Sequence, residues 1–231
     1  MKVWETHSGY SIVQLLAGRS NVFLVTNGKL NIVVDTSPAR KWRMLKRRLA
    51  KLDVEKIDFL VLTHVHYDHV GNVLKVKEMF KAKIIVHQLE ANLLSGAISQ
   101  IPAGTNPITR FLVYSFGNLA SSIARFDGCQ PDILVDTLFS FEEYGLNAYL
   151  LQTHGHTVGS MSLIVDNELA IVGDTMFGIF PRSIFPPFAN DVSAMIASWG
   201  KLLETNCNWF LPSHGTCNSR KLVEKEFQRR S

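Results

Sequence analysis

The amino-acid sequence predicts an α/β protein in which two similar halves, each running from strands into helices, form one body. Three observations predict it. Short apolar runs rich in β-branched residues alternate with helical patterns. Side chains of the kind that ligate metals recur just beyond the ends of those runs. No Pro/Gly/Ser-rich linker, internal repeat or low-complexity run divides the 231 residues. A chain of this length suits one large domain or two small ones. With 46% hydrophobic and 19% charged residues it can bury a sizeable core, and extended disorder is excluded for most of it. Residues 1–231 are therefore expected to form a single domain.

The first third reads as strands at 11–17, 21–26 and 30–35, the last two joined by the hairpin signal Asn27-Gly28. Ser37-Pro38 opens a helix to about residue 52, with Pro38 close to its first turn. Trp42, Leu45 and Leu49 point inward from that helix, and the basic run at 40–48 forms its solvated face. A buried strand at 58–63, a helix at Val73–Phe80 and a buried strand at 82–87 follow. From about 88 to 125 the chain is mostly helical, interrupted at 101–107. We read about 91–125 as a lid-like helical insertion. Its apolar run of Phe111, Leu112, Val113, Tyr114, Phe116, Leu119 and Ile123 fits a helix core, or a lid or dimer face. The second half returns to strands at 137–141, 148–152, 160–165 and 169–172, with Asp166-Asn167 as the last turn. A Pro-rich loop at 180–188, a helix at 192–205, a short strand at 209–211 and a helix from Ser219 complete the chain.

A net charge of +4 is a mild bias and no nucleic-acid signature. The three cysteines, Cys129, Cys207 and Cys217, make no disulfide framework. The first residues lack the apolar core of a secretory signal, and no stretch reaches the roughly 18 apolar residues that span a bilayer. A cytoplasmic protein without a membrane segment is expected.

Three of the eight histidines fall within Thr63-His64-Val65-His66-Tyr67-Asp68-His69, with an aspartate among them. The segment follows a buried strand, and ligand sites in α/β sheets favour loops beyond the carboxyl ends of strands. Residues two apart on an extended backbone point the same way. His64 and His66 can thus share one metal, while Asp68 and His69 lie past them and can reach a second. Neutral imidazole and carboxylate suit zinc, iron or manganese. A lone histidine is usually a satisfied polar side chain, whereas three with an aspartate at this spacing are hard to explain by packing. Thr153-His154-Gly155-His156, Val172-Gly173-Asp174 and Leu211-Pro212-Ser213-His214 are each weak alone. Together they put one or two such side chains at each of four strand ends. His154 and His156 are two apart, so spacing does not choose between them.

The order and context of these motifs resemble the metallo-β-lactamase-fold superfamily, over nearly the whole chain from Val34-Asp35-Thr36 to His214-Gly215. The H-x-H-x-D-H pattern of that family is complete at His64, His66, Asp68 and His69. Its glycine-histidine-threonine segment matches at Gly155, His156, Thr157, Gly159 and Ser160. Its Gly-Asp-Thr matches at Gly173, Asp174 and Thr175. The resemblance implies a four-layer αββα sandwich with the metal site at one edge of the two sheets. It implies two divalent ions, zinc first and iron or manganese next. One would sit on His64, His66 and His156 and the other on Asp68, His69 and His214, with Asp174 bridging. It further implies a bridging hydroxide as nucleophile, oriented by Asp68 as the catalytic residue. Asp35 matches a buried aspartate that supports the site by hydrogen bonds. His154 falls where proline is usual, and it and His87 are expected behind the ligands or facing substrate. Cys217, three residues past His214, is considered as a thiolate ligand, but the set is complete without it.

Departures from the family's branches narrow the substrate, which the fold does not settle. True β-lactamases of one subclass carry cysteine where this chain has Asp174, and the subclass with H-x-H-x-D-H lacks the bridging aspartate. Glyoxalase II resembles the metal pattern closely but adds a C-terminal glutathione-binding helical domain, whereas little more than one helix follows His214. Quorum-signal lactonases keep the same seven ligands. The expected activity is hydrolysis of an ester, thioester or lactone, with a small-molecule substrate and a homodimer as an open question. A phosphodiesterase or nuclease is the second reading, motivated by the basic stretch at 40–51, although nucleic acid is disfavoured as a partner. A non-hydrolytic iron redox protein is the third, which would need an electron partner.

Overall fold

The computed structural model of the chain describes residues 1–18 and 20–231, and within 117–123 the backbone alone. Seven strands lie side by side in chain order in the first sheet. They are β1 (Val3–Glu5), β2 (Ser11–Leu16), β3 (Val22–Thr26), β4 (Asn31–Val34), β5 (Phe59–Val61), β6 (Lys83–His87) and β7 (Ile133–Val135). β1 to β4 are antiparallel and β4 to β7 parallel. Parallel neighbours need long crossovers, and the helices supply them. α1 (Trp42–Ala50) lies between β4 and β5. α2 (Tyr67–Val70) and α3 (Val73–Phe80) lie between β5 and β6, and α4 (Ala91–Ser95) and α5 (Pro107–Ile123) between β6 and β7.

The second sheet contains β8 (Leu138–Ser140), β9 (Ala148–Gln152), β10 (Met161–Val165), β11 (Leu169–Gly173), β12 (Trp209–Pro212) and β13 (Asn218–Ser219), in the order β13-β12-β11-β10-β9-β8. Only β11 and β12 are parallel, and α6 (Val192–Glu204) makes their crossover; α7 (Arg220–Arg230) ends the chain. The turn from β10 to β11 takes positive φ at both Asp166 and Asn167, a conformation those short polar residues tolerate.

Strand period decides the layering. Ile12, Phe23, Ile32 and Phe59 point from the first sheet onto Leu150, Leu163 and Ile171 of the second, forming the inter-sheet core. Their neighbours Val13, Leu24, Val33 and Leu60 face the opposite way, onto Leu45 and Leu49 of α1 and Val73 and Val76 of α3. On the far side of the second sheet, Ile164, Ala170 and Val172 meet Met195 and Trp199 of α6 and Val223 of α7. Four layers result, helices–sheet–sheet–helices, as the resemblance implies. Among the described residues no helix is long and apolar enough to cross a membrane.

The differences from expectation lie in small or exposed elements. β1, β7 and β13 have no counterpart in the predicted strands. The strand expected at 58–63 ends at Val61, and the helical stretch from 88 is broken into a turn, α4 and α5. α5 is not packed as a core helix: Ile108, Phe111, Leu112, Tyr114 and Phe116 are exposed, Tyr114 to 91%. The side chains of Leu119 and Ile123 lie outside the described residues. The basic run behaves as read, with Leu45 and Leu49 buried and Trp42 packed beside them.

Trp199 is fully buried behind the second sheet, and its indole N–H donates to the Thr175 carbonyl at 2.7 Å. Trp199→Ala should cost about 3–5 kcal/mol, read as a lowered urea midpoint; an unchanged midpoint would refute this packing role.

Candidate metal centre

The centre is built where both sheets end at the same edge. β4 runs into Asp35, which has φ +60° and is 1% exposed. Its carboxylate accepts from the Thr63 N–H at 2.9 Å, the Thr63 hydroxyl at 2.9 Å, His69 Nδ1–H at 2.8 Å and the Ser213 hydroxyl at 3.2 Å. Thr63 follows β5, His69 sits in α2 and Ser213 follows β12. One side chain therefore fixes elements of both sheets.

Ring orientation follows from the nitrogen each histidine spends on the protein. The Thr63 hydroxyl donates to Asp35, so its oxygen is available to accept from His64 Nδ1 at 3.0 Å. His69 spends Nδ1 on Asp35, and His156 spends Nδ1 on the Phe188 carbonyl at 2.9 Å. In each neutral ring this leaves Nε2 with a lone pair facing the centre. Asp174 enters from the end of β11. Gly173 holds φ +56°, and a Cβ there would lie 2.8 Å from Cβ of Thr63. Only glycine lets the strand end approach Thr63 and project Asp174 inward.

The result is one connected cage. The candidate ligand atoms of His64, His66 and His156 lie within 4.8 Å of one another, as do those of His64, His69 and Asp174, and those of Asp68, His69 and His214. Asp174 stands between the outer groups: Oδ2 is 3.2 Å from His214 Nε2 and 3.5 Å from His156 Nε2, and Oδ1 is 3.6 Å from His69 Nε2. Asp68 Oδ2 is 3.6 Å from His214 Nε2. His64 Nε2, His69 Nε2 and Asp174 Oδ1 are buried without a hydrogen-bond partner among the described residues. Orphaned buried polar atoms are rare and costly, and a divalent cation would satisfy them together. The donor set, imidazole plus carboxylate, fits such an ion.

Electrostatics agree with that use. Burial, then the neighbouring histidines, holds His64 well below its ordinary value. Burial and His156 do the same to His66, and burial lowers His156. Burial also opposes charge on His69, but Asp174, Asp68 and Asp35 outweigh it and push His69 up to about 10. For Asp174, burial is outweighed by His214 and His69, which hold the carboxyl far below the usual range. The centre thus offers unprotonated imidazoles at His64, His66 and His156 beside an ionised Asp174.

A cleft of about 280 Å³ opens above His66, Asp68, His156, Asp174 and His214. Its walls are Tyr67, Gln100, Ile101, Pro102, Phe177 and Phe188, and among the described residues no lysine or arginine lines it. Phe177 lies against the His214 ring at 4.6 Å.

All seven expected ligands and Asp35 therefore meet at one place. His87 and His154 do not line the cleft. His87 is buried and caps the turn at Gln88–Glu90, accepting from the Leu89 N–H at 3.2 Å. The His154 carbonyl accepts from the Ser198 hydroxyl, and its Nδ1 is buried without a partner. Cys217 packs against the inter-sheet core and joins none of the ligand groups found among the described residues. Sequence reasoning missed Tyr67, Gln100, Ile101, Pro102 and Phe177 as walls, and Glu90 altogether. The interruption at 101–107 was the available signal for the first wall.

Comparison with known proteins adds four findings. The family model described as metallo-beta-lactamase superfamily matches residues 15–214. A probable metallo-hydrolase of Methanocaldococcus jannaschii is 27% identical, over 87% of this chain and 90% of that protein. The hydroxyacylglutathione hydrolase GloC of Haemophilus influenzae is also 27% identical, over 81% of this chain and 80% of its own. Among solved structures, an archaeal metallo-beta-lactamase superfamily protein from Sulfolobus tokodaii shares the fold with a TM-score of 0.70 at 20% identity, covering 94% of this chain and 85% of that one.

A divalent metal ion at about 100 times its Kd should stabilise the protein by about 2.7 kcal/mol. Tm should then rise by roughly 5–10 °C, and a chelator should reverse the rise. In chelator-treated protein the depressed His64, His66 and His156 give stability that is complete above about 6.5, their unfolded value, and is lost as pH falls below it. His69 has the opposite sign: its share is complete below about 6.5 and is lost as pH rises towards about 10. Urea midpoints across roughly pH 5–8 should therefore peak near 6.5, falling on the acid side with the three depressed histidines and on the alkaline side with His69; a midpoint that keeps rising as pH drops below about 6 would contradict the assignment.

Proposed function

The chain belongs to the metallo-beta-lactamase superfamily and is a metal-dependent hydrolase, and we propose that its substrates are small, uncharged esters, thioesters or lactones. The observation that carries this reading is the cleft: metal-type side chains at its floor, largely apolar walls, and no lysine or arginine among its described lining residues. Away from the metal floor, a charged group would lose its hydration with no lysine or arginine among the described wall residues to compensate it. A substrate with a charged group against those walls is disfavoured for that reason, and none of the described residues of 40–51 lines the cleft, which gives nucleic acid no basic surface there. The relationship to a hydroxyacylglutathione hydrolase supports acyl chemistry.

We assign one divalent ion to His64, His66 and His156 and a second to Asp68, His69 and His214, with Asp174 shared. Zinc is the metal we favour for such nitrogen and oxygen donors. Bound there, the ions would lower the pKa of water towards about 7 and polarise a carbonyl oxygen. The chain's own residues do the rest. Asp68, partly solvated at the cleft floor, orients the attacking water and takes up its proton. Ile101, Pro102, Phe177 and Phe188 hold the acyl group and exclude bulk water. The 101–105 wall is tied to the opposite one, with Thr105 N–H on the Pro187 carbonyl at 3.0 Å and Ala189 N–H on the Ala103 carbonyl at 2.9 Å. We therefore read 91–125 as a lid within a single domain. The three cysteines are free, which fits the reducing cytoplasm.

Zinc-loaded protein should hydrolyse neutral aryl esters, thioesters and lactones faster than a model phosphodiester; the reverse order would sink the reading. Asp68→Asn should lower kcat by about 10²–10⁴-fold with little change in KM for a neutral ester.

A further inference from the structure

A second buried carboxylate takes no part in the mechanism above. Glu90 follows β6 in the turn that His87 caps, and it is 1% exposed. Its Oε2 accepts from the Val65 N–H at 2.6 Å, and its Oε1 accepts from the Gly159 N–H at 3.3 Å. Val65 lies between His64 and His66. Gly159 lies three residues past His156, in the loop that the Ser160 hydroxyl closes onto the Thr157 N–H at 3.1 Å. The approach is as close as a glycine permits: a Cβ on Gly159 would stand 2.3 Å from Cγ of Glu90 and 3.1 Å from Cβ of His87.

The three histidines of this triad come from two loops in different halves of the chain. Glu90 is the side chain that bonds to both. Asp35 reaches the first loop only at Thr63, which orients His64, and does not touch the second; its other donors are His69 and Ser213. His69 belongs to the other triad and Ser213 precedes that triad's His214, so Asp35 links the two triads while Glu90 joins the two loops of this one. We propose that Glu90 is the positioning residue of the His64/His66/His156 metal site, strapping its two loops into register and setting the affinity of that site separately from its neighbour. The proposal rests on the metal assignment above and not on the substrate.

Metal stripped from the full chain and zinc returned in a calorimetric titration would test it. Wild type should show two binding events, identified by which one His156→Ala or His214→Ala abolishes. Glu90→Ala should weaken the His156-dependent event by about 10–100-fold and leave the His214-dependent event unchanged. Glu90→Gln keeps the shape but only one acceptor oxygen, so it should weaken the same event less, and it serves if the alanine variant fails to fold. A merely structural Glu90 would lower the metal-free Tm and weaken both events alike. That result, no change in either event, or loss confined to the His214-dependent event would overturn the proposal. Two normal wild-type events without ester turnover would overturn the substrate reading alone, while no zinc binding by wild type would overturn both.

Discussion

The bond set around Asp35 is the constraint on which the rest of the site depends. A buried carboxylate is costly unless hydrogen-bonded and charge-compensated. Asp35 meets that condition with donors from Thr63, His69 and Ser213. Those donors belong to the ends of β5 and β12 and to α2, so its satisfaction requires both sheets and the short helix to be in place. The left-handed backbone at Asp35 turns the chain out of β4 and points the carboxylate into this junction. From there the orientation of the His69 ring, and through Thr63 that of His64, are consequences of ordinary hydrogen-bond geometry.

The same logic leaves the metal-free fold under electrostatic tension. Each anchoring bond turns one ring nitrogen outward to the protein and the other inward to a space shared with several more. His156 Nε2 and His66 Nδ1 stand 3.2 Å apart, and the His64 and His69 rings are 4.1 Å apart between centroids. Protonating this cluster would set cations against one another in a buried space, which is why His64 and His66 are held neutral. Only the carboxylate side, around His69, favours charge. The cage is arranged for an ion and not for internal pairing, a local conflict of the sort expected where function outweighs stability.

The architecture was largely legible because its strands are long apolar runs and its ligands cluster at their ends. Ile12, Phe23 and Ile32 mark one face of the first sheet and Val13, Leu24 and Val33 the other, a pattern that period 2 makes readable. β1, β7 and β13 were not legible: each has two or three residues and is held by its neighbour's backbone, which leaves little mark on side-chain pattern. Tyr67 was hidden for a different reason. It sits among the histidines, so the motif drew attention to metals while the same short helix also delivered a wall of the cleft. Glu90 was hidden because its partners are backbone N–H groups at Val65 and Gly159, which carry no residue identity. α5 misled because apolar composition alone does not distinguish a buried helix from one that exposes Phe111 and Tyr114.

The ligands proposed above divide between the two sheets: His64, His66, Asp68 and His69 come from the first half of the chain, His156, Asp174 and His214 from the second. The cage therefore straddles a seam. Neither half holds a complete set of donors, so an ion cannot bind tightly until the halves have closed on each other. By linkage, its binding free energy is added to the closure itself. These contacts join residues about a hundred positions apart, and non-local pairings of that kind form late and slowly. Metal supply thus bears on how completely new chains mature as well as on how fast finished ones turn over.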